Sequence, residues 1–293
     1  MKRKVLVLVT SVLCVALLVA CGGKDSSDKK QESKDKTETV TASGSSALFP
    51  LADAAAIAFK EKYPDIAVTI NAGGSGTGLK DVAASTVDIG NSDVYAEEKL
   101  EVEVAETLVD HKACVVAISP VINETLATKV PNLTTEQLTK IFTAEITNWS
   151  EVGGPDQEIM LITRPTSSGT RALFKEYGID GAEEATTTFE TDDSGSLLTT
   201  VAQNENAIGY VAYSYLVNEP EGVAKVNVNN VECTLETTYD GTWEIWGYEH
   251  MYTNGEPTGA VKEYLDFVMG EEFGTNIEKM GYGVTSKMQV TRE

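Results

Sequence analysis

Glycines and hydroxyl residues are concentrated in residues 73–93, which read GGSGTGLKDVAASTVDIGNSD. Glycine lets backbone N–H groups approach a ligand closely, because it has no Cβ atom. The free N–H groups at the start of a helix, together with the positive end of its dipole, bind anions. Asp93 is unexpected beside such a site, because a carboxylate repels an anion unless a proton lies between them. The stretch therefore predicts a site that selects a protonated oxyanion, with Ser75 and Asp93 as candidate contacts.

Two further segments, residues 43–48 and 164–170, also place a hydroxyl-rich turn between a strand and a helix. One such segment alone is weak evidence for a ligand site, because serine and threonine are ordinary residues at helix N-termini. Three such segments in one chain strengthen the hypothesis of an anion site, because the fold can bring them together.

The segment RPTSSGTR has the most specific pattern of the three. Arg164 ends a predicted strand, and a guanidinium donates two parallel hydrogen bonds to the oxygens of an oxyanion. Ser168 and Thr170 can donate their hydroxyls, and Gly169 exposes its N–H. The alternatives are a surface salt bridge for the arginine, which we expect of Arg171, and a capping role alone for Ser168.

The first residues have the pattern of an export signal. The basic start MKRK is followed by an apolar run and by Leu-Val-Ala before Cys21, which is typical of a bacterial lipoprotein. We expect a signal peptide over residues 1–20, a lipid on Cys21 and a disordered tether over residues 21–39. A single transmembrane anchor is the alternative, for which the apolar run is short. The protein is thus predicted to be exported and lipid-anchored to the outer face of the cell membrane.

The composition limits the remaining classes of function. The chain has 293 residues, 42% of them hydrophobic, and a net charge of −22. This length suffices for two α/β lobes, and the acidic balance argues against nucleic-acid binding. No cysteine or histidine pair has metal-ligand spacing, so we expect no metal site and no cofactor. Cys114 and Cys233 are predicted to be buried thiols, with a disulfide between them as the alternative.

Strand-like and helix-like segments alternate from residue 40 to residue 93, which indicates an α/β lobe with largely parallel pairing. Two apolar segments, 113–119 (ending at Pro120) and 243–252, are predicted to cross between the lobes and form a hinge beside a cleft. Lobe 1 would comprise residues 40–117 and 244–293, and lobe 2 residues 118–243. The remaining predicted strands are 40–42, 66–71, 87–90, 159–163 and 207–213, and the main predicted helices are 50–62, 135–142 and 259–269, with another after Asp193.

The motifs SGSSALFPL, GGSGTG…VDIGNSD, RPTSSGTR and AIGYVAY resemble those of the phosphate-binding lipoproteins of bacterial phosphate ABC transporters, the PstS family. The resemblance runs from about residue 40 to the C-terminus. It implies a type II periplasmic-binding-protein fold with two lobes joined by a two-segment hinge, closure on one phosphate and delivery to membrane permease subunits. The ligand contacts that it implies are Ser75, Asp93, Arg164, Ser168, Gly169 and Thr170.

The first loop departs from the family pattern, in which a threonine–phenylalanine pair precedes the proline. Here Leu48 and Phe49 precede Pro50. We therefore expect the hydroxyl contact from Ser46, together with the backbone N–H groups of Ala47 and Leu48.

Asp93 suggests how such a site would discriminate between anions. Phosphate keeps at least one proton at neutral pH, and Asp93 can accept the hydrogen bond of that proton. Sulfate has no proton, so the carboxylate would face bare oxygen, which disfavours that ligand. Asp88 is expected to have a structural role only.

Other functions remain open. A binding protein for another oxyanion, such as sulfate or molybdate, is one alternative, and an adhesin or structural lipoprotein is another. Catalysis is not expected, because residues 74–78 match neither G-x-S-x-G nor G-x-G-x-x-G and neither histidine lies in a motif with a nucleophile. The expected partners are inorganic phosphate, the permease and the membrane, with the protein itself a monomer.

Overall fold

The computed structural model of the chain describes residues 37–186 and 189–292. The predicted signal peptide, Cys21 and the tether up to residue 36 lie outside the described residues. The strands are β1 Glu38–Gly44, β2 Ile66–Ala72, β3 Ile89–Ser92, β4 Leu108–Asn123, β5 Asn132–Leu133, β6 Met160–Leu161, β7 Ala207–Ala212, β8 Val223–Lys225, β9 Asn227–Val228 and β10 Trp246–Asn254. The α-helices are α1 Phe49–Lys62, α2 Ser75–Ala83, α3 Val102–Ala105, α4 Thr135–Phe142, α5 Gly169–Gly178, α6 Ser194–Gln203, α7 Leu235–Tyr239, α8 Gly259–Met269 and α9 Glu271–Gly274. Within these described ranges, no helix is long and apolar enough to cross a membrane.

The main sheet has the strand order β2-β1-β3-β10-β4-β7-β6, with β8 also paired to β4. Strand β1 is parallel to both β2 and β3, and β6 is parallel to β7. Strand β10 is antiparallel to β3 and β4, and β4 is antiparallel to β7. The predicted parallel pairing is confirmed for β1, β2 and β3. The two long strands β4 and β10 at the centre of the sheet run in opposite directions.

Strand β4 is the longest strand and changes its partner along its length. It pairs with β10 as far as Ala117 and with β7 from Ile118 onward. The prediction that this strand ends at Pro120 is wrong, because β4 continues through the proline to Asn123. The Pro120 carbonyl still accepts a hydrogen bond from the N–H of Val226, at 3.1 Å. The chain from Thr37 onward forms one compact unit of contacts, and its division into two lobes stays a prediction.

Several predicted elements differ slightly from the observed ones. Helices α4 and α8 have the predicted bounds, and α1 begins one residue early. Strand β1 begins at Glu38, inside the predicted tether, because the Glu38 N–H donates to the Asp65 carbonyl at 3.0 Å. Of the predicted strand 159–163, only the two residues of β6 are observed as a strand. Thr163 forms an isolated bridge with Glu190.

One hydrophobic cluster fixes the start of α1. The buried residues of this helix recur every three or four positions, which is the spacing of one apolar face. Phe59 on this face contacts Tyr264 of α8 edge-on, with ring centroids 5.5 Å apart. The hydroxyl of Tyr282 donates to the Ala47 carbonyl at 2.6 Å. This hydrogen bond from a core residue fixes the loop between β1 and α1 in place.

A second cluster packs under α5 and β7. Phe174 of α5 stacks on Tyr210 of β7, with centroids 4.1 Å apart, and Phe142 of α4 packs against both rings. This packing fixes the axis of α5, and hence the position of its first residues.

Cys114 and Cys233 are both buried and free. The prediction of buried thiols is confirmed, and the alternative of a disulfide is wrong. Burial raises the pKa of both thiols, so they remain neutral.

Candidate anion site

The loop after β1 turns tightly against β3. Gly44 has a φ of +131°, and a Cβ there would lie 2.1 Å from the Asn91 carbonyl oxygen. The Ser45 N–H donates to that same oxygen at 2.9 Å. The Leu48 N–H, which was predicted to contact the ligand, donates instead to the Ser45 hydroxyl at 3.0 Å. This hydrogen bond shapes the loop. The Ser46 hydroxyl takes no part in it and contacts the Arg164 guanidinium instead.

Arg164 forms the positive centre of the site and is fully buried. Its Nε donates to the Thr191 carbonyl at 2.9 Å, and its Nη2 donates to the Asp192 carbonyl at 2.8 Å. These two carbonyls fix the plane of the guanidinium. The same group donates to two hydroxyls, from Nη1 to Ser194 at 3.2 Å and from Nη2 to Ser46 at 3.1 Å. Burial lowers the pKa of Arg164 from its usual range, yet an arginine side chain stays protonated in proteins.

Asp93 follows β3 and forms the negative centre of the site, with 2% of its surface exposed. Its Oδ2 accepts from the Thr170 hydroxyl at 2.7 Å, and its Oδ1 accepts from the Ser75 hydroxyl at 3.2 Å. The Asp93 N–H donates back to the Ser75 oxygen at 3.0 Å. Residues at the starts of α2 and α5 thus meet on one carboxylate, which orients it.

The start of α5 lies directly against the start of α2. The Gly76 N–H donates to the Ser167 carbonyl at 2.9 Å. A Cβ on Gly169 would lie 2.2 Å from the Ser75 oxygen, so only glycine fits this contact. The Ser168 oxygen accepts from the Arg171 N–H at 3.1 Å, which is the N-cap arrangement, and its proton is still available to a ligand. Each of these helix starts also carries N–H groups with no partner inside its helix.

All nine predicted site residues are buried. Most of them surround one of two charged residues. Ser46 contacts Arg164, and Ser75, Gly169 and Thr170 lie around Asp93. The charge of Asp93 acts on Arg164 and opposes the effect of burial on its pKa. Two opposite charges are therefore buried in the protein, each within a set of hydroxyl groups.

Sequence reasoning missed Ser194, the first residue of α6. Its hydroxyl lies 3.2 Å from the hydroxyl of Ser46, and both contact the Arg164 guanidinium. Asp193 caps the same helix by accepting from the Ser196 N–H at 2.8 Å. The signal was available, because residues 193–196 read DSGS, a hydroxyl-rich helix start like the other three. Tyr215 was also missed, although its hydroxyl donates to the Ser46 carbonyl at 2.7 Å.

A cavity of about 910 Å³ lies beside these residues, and Ser168 is the one predicted site residue in its lining. Several charged side chains of its lining are paired with neighbouring groups. Lys175 pairs with Glu183, and the Lys99 ammonium donates to the Thr166 carbonyl. Neither Arg164 nor Asp93 lines this cavity, so we do not assign it as the anion site.

A mixed sheet with helix starts arranged around buried, oppositely charged groups is typical of the proteins that enclose small solutes. A family model described as a PBP superfamily domain matches residues 29–272. The chain is also 40% identical, over 298 residues, to the phosphate-binding protein PstS of Bacillus subtilis, with 100% of this chain and 97% of that protein covered. The chain therefore belongs to the PBP superfamily and, within it, to the PstS family.

Solved structures agree with this assignment. A phosphate ABC transporter substrate-binding protein from Clostridium perfringens, solved with bound phosphate, is 30% identical with a TM-score of 0.77, over 85% of this chain and 100% of that one. An ABC-type phosphate transport receptor from Vibrio cholerae is 26% identical with a TM-score of 0.66, over 84% of this chain and 99% of that one. The predicted periplasmic-binding-protein fold class is confirmed, and the family is one of substrate-binding transport proteins.

Proposed function

We propose that this protein is an extracytoplasmic solute-binding protein that captures inorganic phosphate and delivers it to the permease of an ABC transporter. Its relatives in Bacillus subtilis and Clostridium perfringens are described by their names as phosphate-binding. The observation that carries the proposal is the buried pair of Arg164 and Asp93, each surrounded by hydroxyl groups. A guanidinium supplies charge for the anion, and a carboxylate beside it requires that the anion bring a proton.

In this proposal the donors come from the helix starts. The hydroxyls of Ser46 and Ser168, the N–H groups of Ala47 and Gly169, and the guanidinium of Arg164 donate to phosphate oxygens. Ser75 and Thr170 line the site and give their single hydroxyl protons to Asp93. The first-turn N–H groups add the positive end of each helix dipole. Leu48 contributes by shaping the loop, because its N–H donates to Ser45.

Asp93 provides selectivity against anions that carry no proton. Two hydroxyls orient its carboxylate, so that it can accept the hydrogen bond of a phosphate O–H. A fully deprotonated anion such as sulfate would leave two negative groups in contact without a proton between them, inside a buried site. An unsatisfied buried group costs about 1–3 kcal/mol, and more when it is charged.

The test is the substitution Asp93→Asn, with phosphate and sulfate affinities measured by isothermal titration calorimetry. We expect the ratio of the two affinities to fall by roughly tenfold or more, because the amide can donate to sulfate and no longer repels it. Asp88→Asn is the matched control. Asp88 accepts from the N–H and the hydroxyl of Thr41, both at 2.8 Å, and is not part of the site. An unchanged ratio in the Asp93 variant would reject this role.

The remaining parts of the proposal concern attachment and chemistry. We propose that Cys21 carries a lipid that holds the protein at the outer face of the membrane, and that the protein is a monomer that contacts the permease. The protein would bind phosphate without chemical turnover, since the proposed site residues include neither a histidine nor a cysteine.

A further inference from the structure

Glu249 is a fully buried carboxyl group in the centre of the sheet. It lies on β10 opposite Cys114 of β4, and the pairing register shifts between Glu249 and the next residue, His250. His250 pairs with Ser92 of β3, the residue before Asp93. The shift leaves Ala113 of β4 without a partner on β10, and the antiparallel pairing of His250 with Ser92 places Glu249 across from Asp93, the residue that we place in the anion site.

The surroundings of Glu249 do not support a negative charge. In the part of the chain that the structure describes, neither carboxyl oxygen receives a hydrogen bond from a donor of suitable geometry. An ionised carboxylate buried without donors is strongly unfavourable. Burial raises the pKa of Glu249 well above its usual range, the neighbouring Asp93 raises it further, and the nearby Ser45 hydroxyl lowers it.

The other ionisable groups that interact with Glu249 carry no positive charge. They are Cys114 on β4, Tyr282 in the C-terminal segment and Tyr215 after β7. Burial raises the pKa of each of the three, so each is neutral at physiological pH. Among the described residues, Asp93 is therefore the one charged group acting on Glu249, and its charge has the same sign.

Two buried carboxyl groups in contact cannot both be ionised, so the pair holds one proton. The proton belongs on Glu249. Asp93 already accepts hydrogen bonds from the hydroxyls of Ser75 and Thr170, which stabilise it as a carboxylate. Glu249 has only the Ser45 hydroxyl as a neighbouring donor, and when protonated it can itself donate to Asp93.

We infer that Glu249 is a positioning residue of the anion site, which stays protonated and donates a hydrogen bond to Asp93, holding it as an ionised acceptor for the proton of the ligand. This inference rests on the proposed function of the site. Three groups then hold Asp93 from different elements, so that its remaining accepting capacity is directed at the ligand. Glu249 would thereby affect selectivity without touching the anion.

Difference infrared spectroscopy on the ligand-free protein tests the protonation state directly. The spectrum of the wild type minus that of Glu249→Gln should show the carbonyl band of a protonated carboxylic acid. Glu184→Gln is the matched control, because Glu184 is also buried but lies 3.3 Å from Arg171 and has a pKa of about 7. At about pH 8 the control should lose mainly a carboxylate band. Loss of a carboxylate band in the Glu249 variant would overturn the inference.

Binding measurements test the positioning role. Glutamine at position 249 keeps a neutral donor, so Glu249→Gln should keep the wild-type ratio of phosphate to sulfate affinity within about threefold. Leucine removes the donor, and Glu249→Leu should lower that ratio by roughly tenfold, the loss expected for a hydrogen bond to a charged group. Equal ratios in the two variants would overturn the positioning role.

The failures of the two proposals are distinguishable. If the wild type binds no phosphate, the proposed function fails, while the infrared band still reports whether Glu249 holds the proton. If Glu249→Leu does not fold, the infrared spectra decide the protonation state, and Glu249→Asp takes the place of leucine in the binding measurement. Its shorter side chain withdraws the donor from Asp93, so an affinity ratio equal to that of the glutamine variant would again overturn the positioning role.

Discussion

Gly169 offers a sharp test of the site, because a single added methyl group separates the two helix starts that meet there. A Cβ at this position would lie 2.2 Å from the Ser75 oxygen and 2.9 Å from the Cβ of Asp93. Carbon atoms in favourable contact are about 3.5–4.0 Å apart, so the start of α5 must move by roughly 1 Å. The φ of Gly169 is not positive. Alanine can therefore adopt this backbone conformation, and its effect is steric.

The size of the effect follows from the cost of overpacking. Inserting a methyl group into a well-packed region costs about 1–3 kcal/mol. If the strain is relieved by moving α5 away from α2, the cost appears in ligand binding as a loss of about 5- to 150-fold. We therefore expect Gly169→Ala to weaken phosphate binding by at least about fivefold in isothermal titration calorimetry.

Gly274→Ala is the matched control for this substitution. Gly274 is the last residue of α9, and a Cβ there would meet nothing within 4 Å. Alanine at such a position is expected to leave phosphate binding unchanged and to raise stability by up to about 1 kcal/mol, through the unfolded state. Wild-type affinity in Gly169→Ala would refute the reasoning, because it would mean that α2 and α5 do not need to approach each other when the ligand binds.

Two further predictions concern the buried acid Glu184 and the N-terminus. Burial raises the pKa of Glu184 to about 7, although the charge of Arg171 and a hydrogen bond from Tyr210 lower it. The folded state therefore binds this proton more tightly than the unfolded state, so stability is highest at acidic pH and falls as pH rises through about 7. Relative to Glu184→Gln, the wild type should lose on the order of 3 kcal/mol of unfolding free energy between about pH 4.5 and pH 8; parallel denaturation profiles for the two proteins would contradict this. For the N-terminus, mass spectrometry of the mature protein should find a lipid-modified Cys21 as the first residue, and an unmodified or earlier first residue would rule out the anchor.

The helix starts of the site were predictable because their signals are local. The sequence around residues 75 and 169 combines glycine, hydroxyl residues and a following apolar periodicity, and both α2 and α5 begin there. Helices α4 and α8 were also predicted correctly, since their apolar spacing, and for α4 the capping Thr134, define them without tertiary information.

Other features depend on contacts between distant segments and have no local signal. The N–H of Leu48 has the right position for a ligand contact, but the hydroxyl of Ser45 takes it. Strand β4 continues through Pro120, and the proline carbonyl accepts from the N–H of Val226, which is more than a hundred residues away. Glu249 resembles an ordinary surface acid in the sequence WGYEHMY, and only the pairing of β10 with both neighbours shows that it is buried.

The strong negative charge of the chain is compatible with anion binding because the two effects act over different distances. Exposed charges are screened within about 8–10 Å at physiological ionic strength. The donors around Arg164, by contrast, are buried and fixed, with the guanidinium held by the Thr191 and Asp192 carbonyls before any ligand arrives. Preorganised donors of this kind need little rearrangement on binding, so their attraction at short range can exceed the weak repulsion from the surface. The acidic surface would then slow the approach of phosphate more than it weakens the complex.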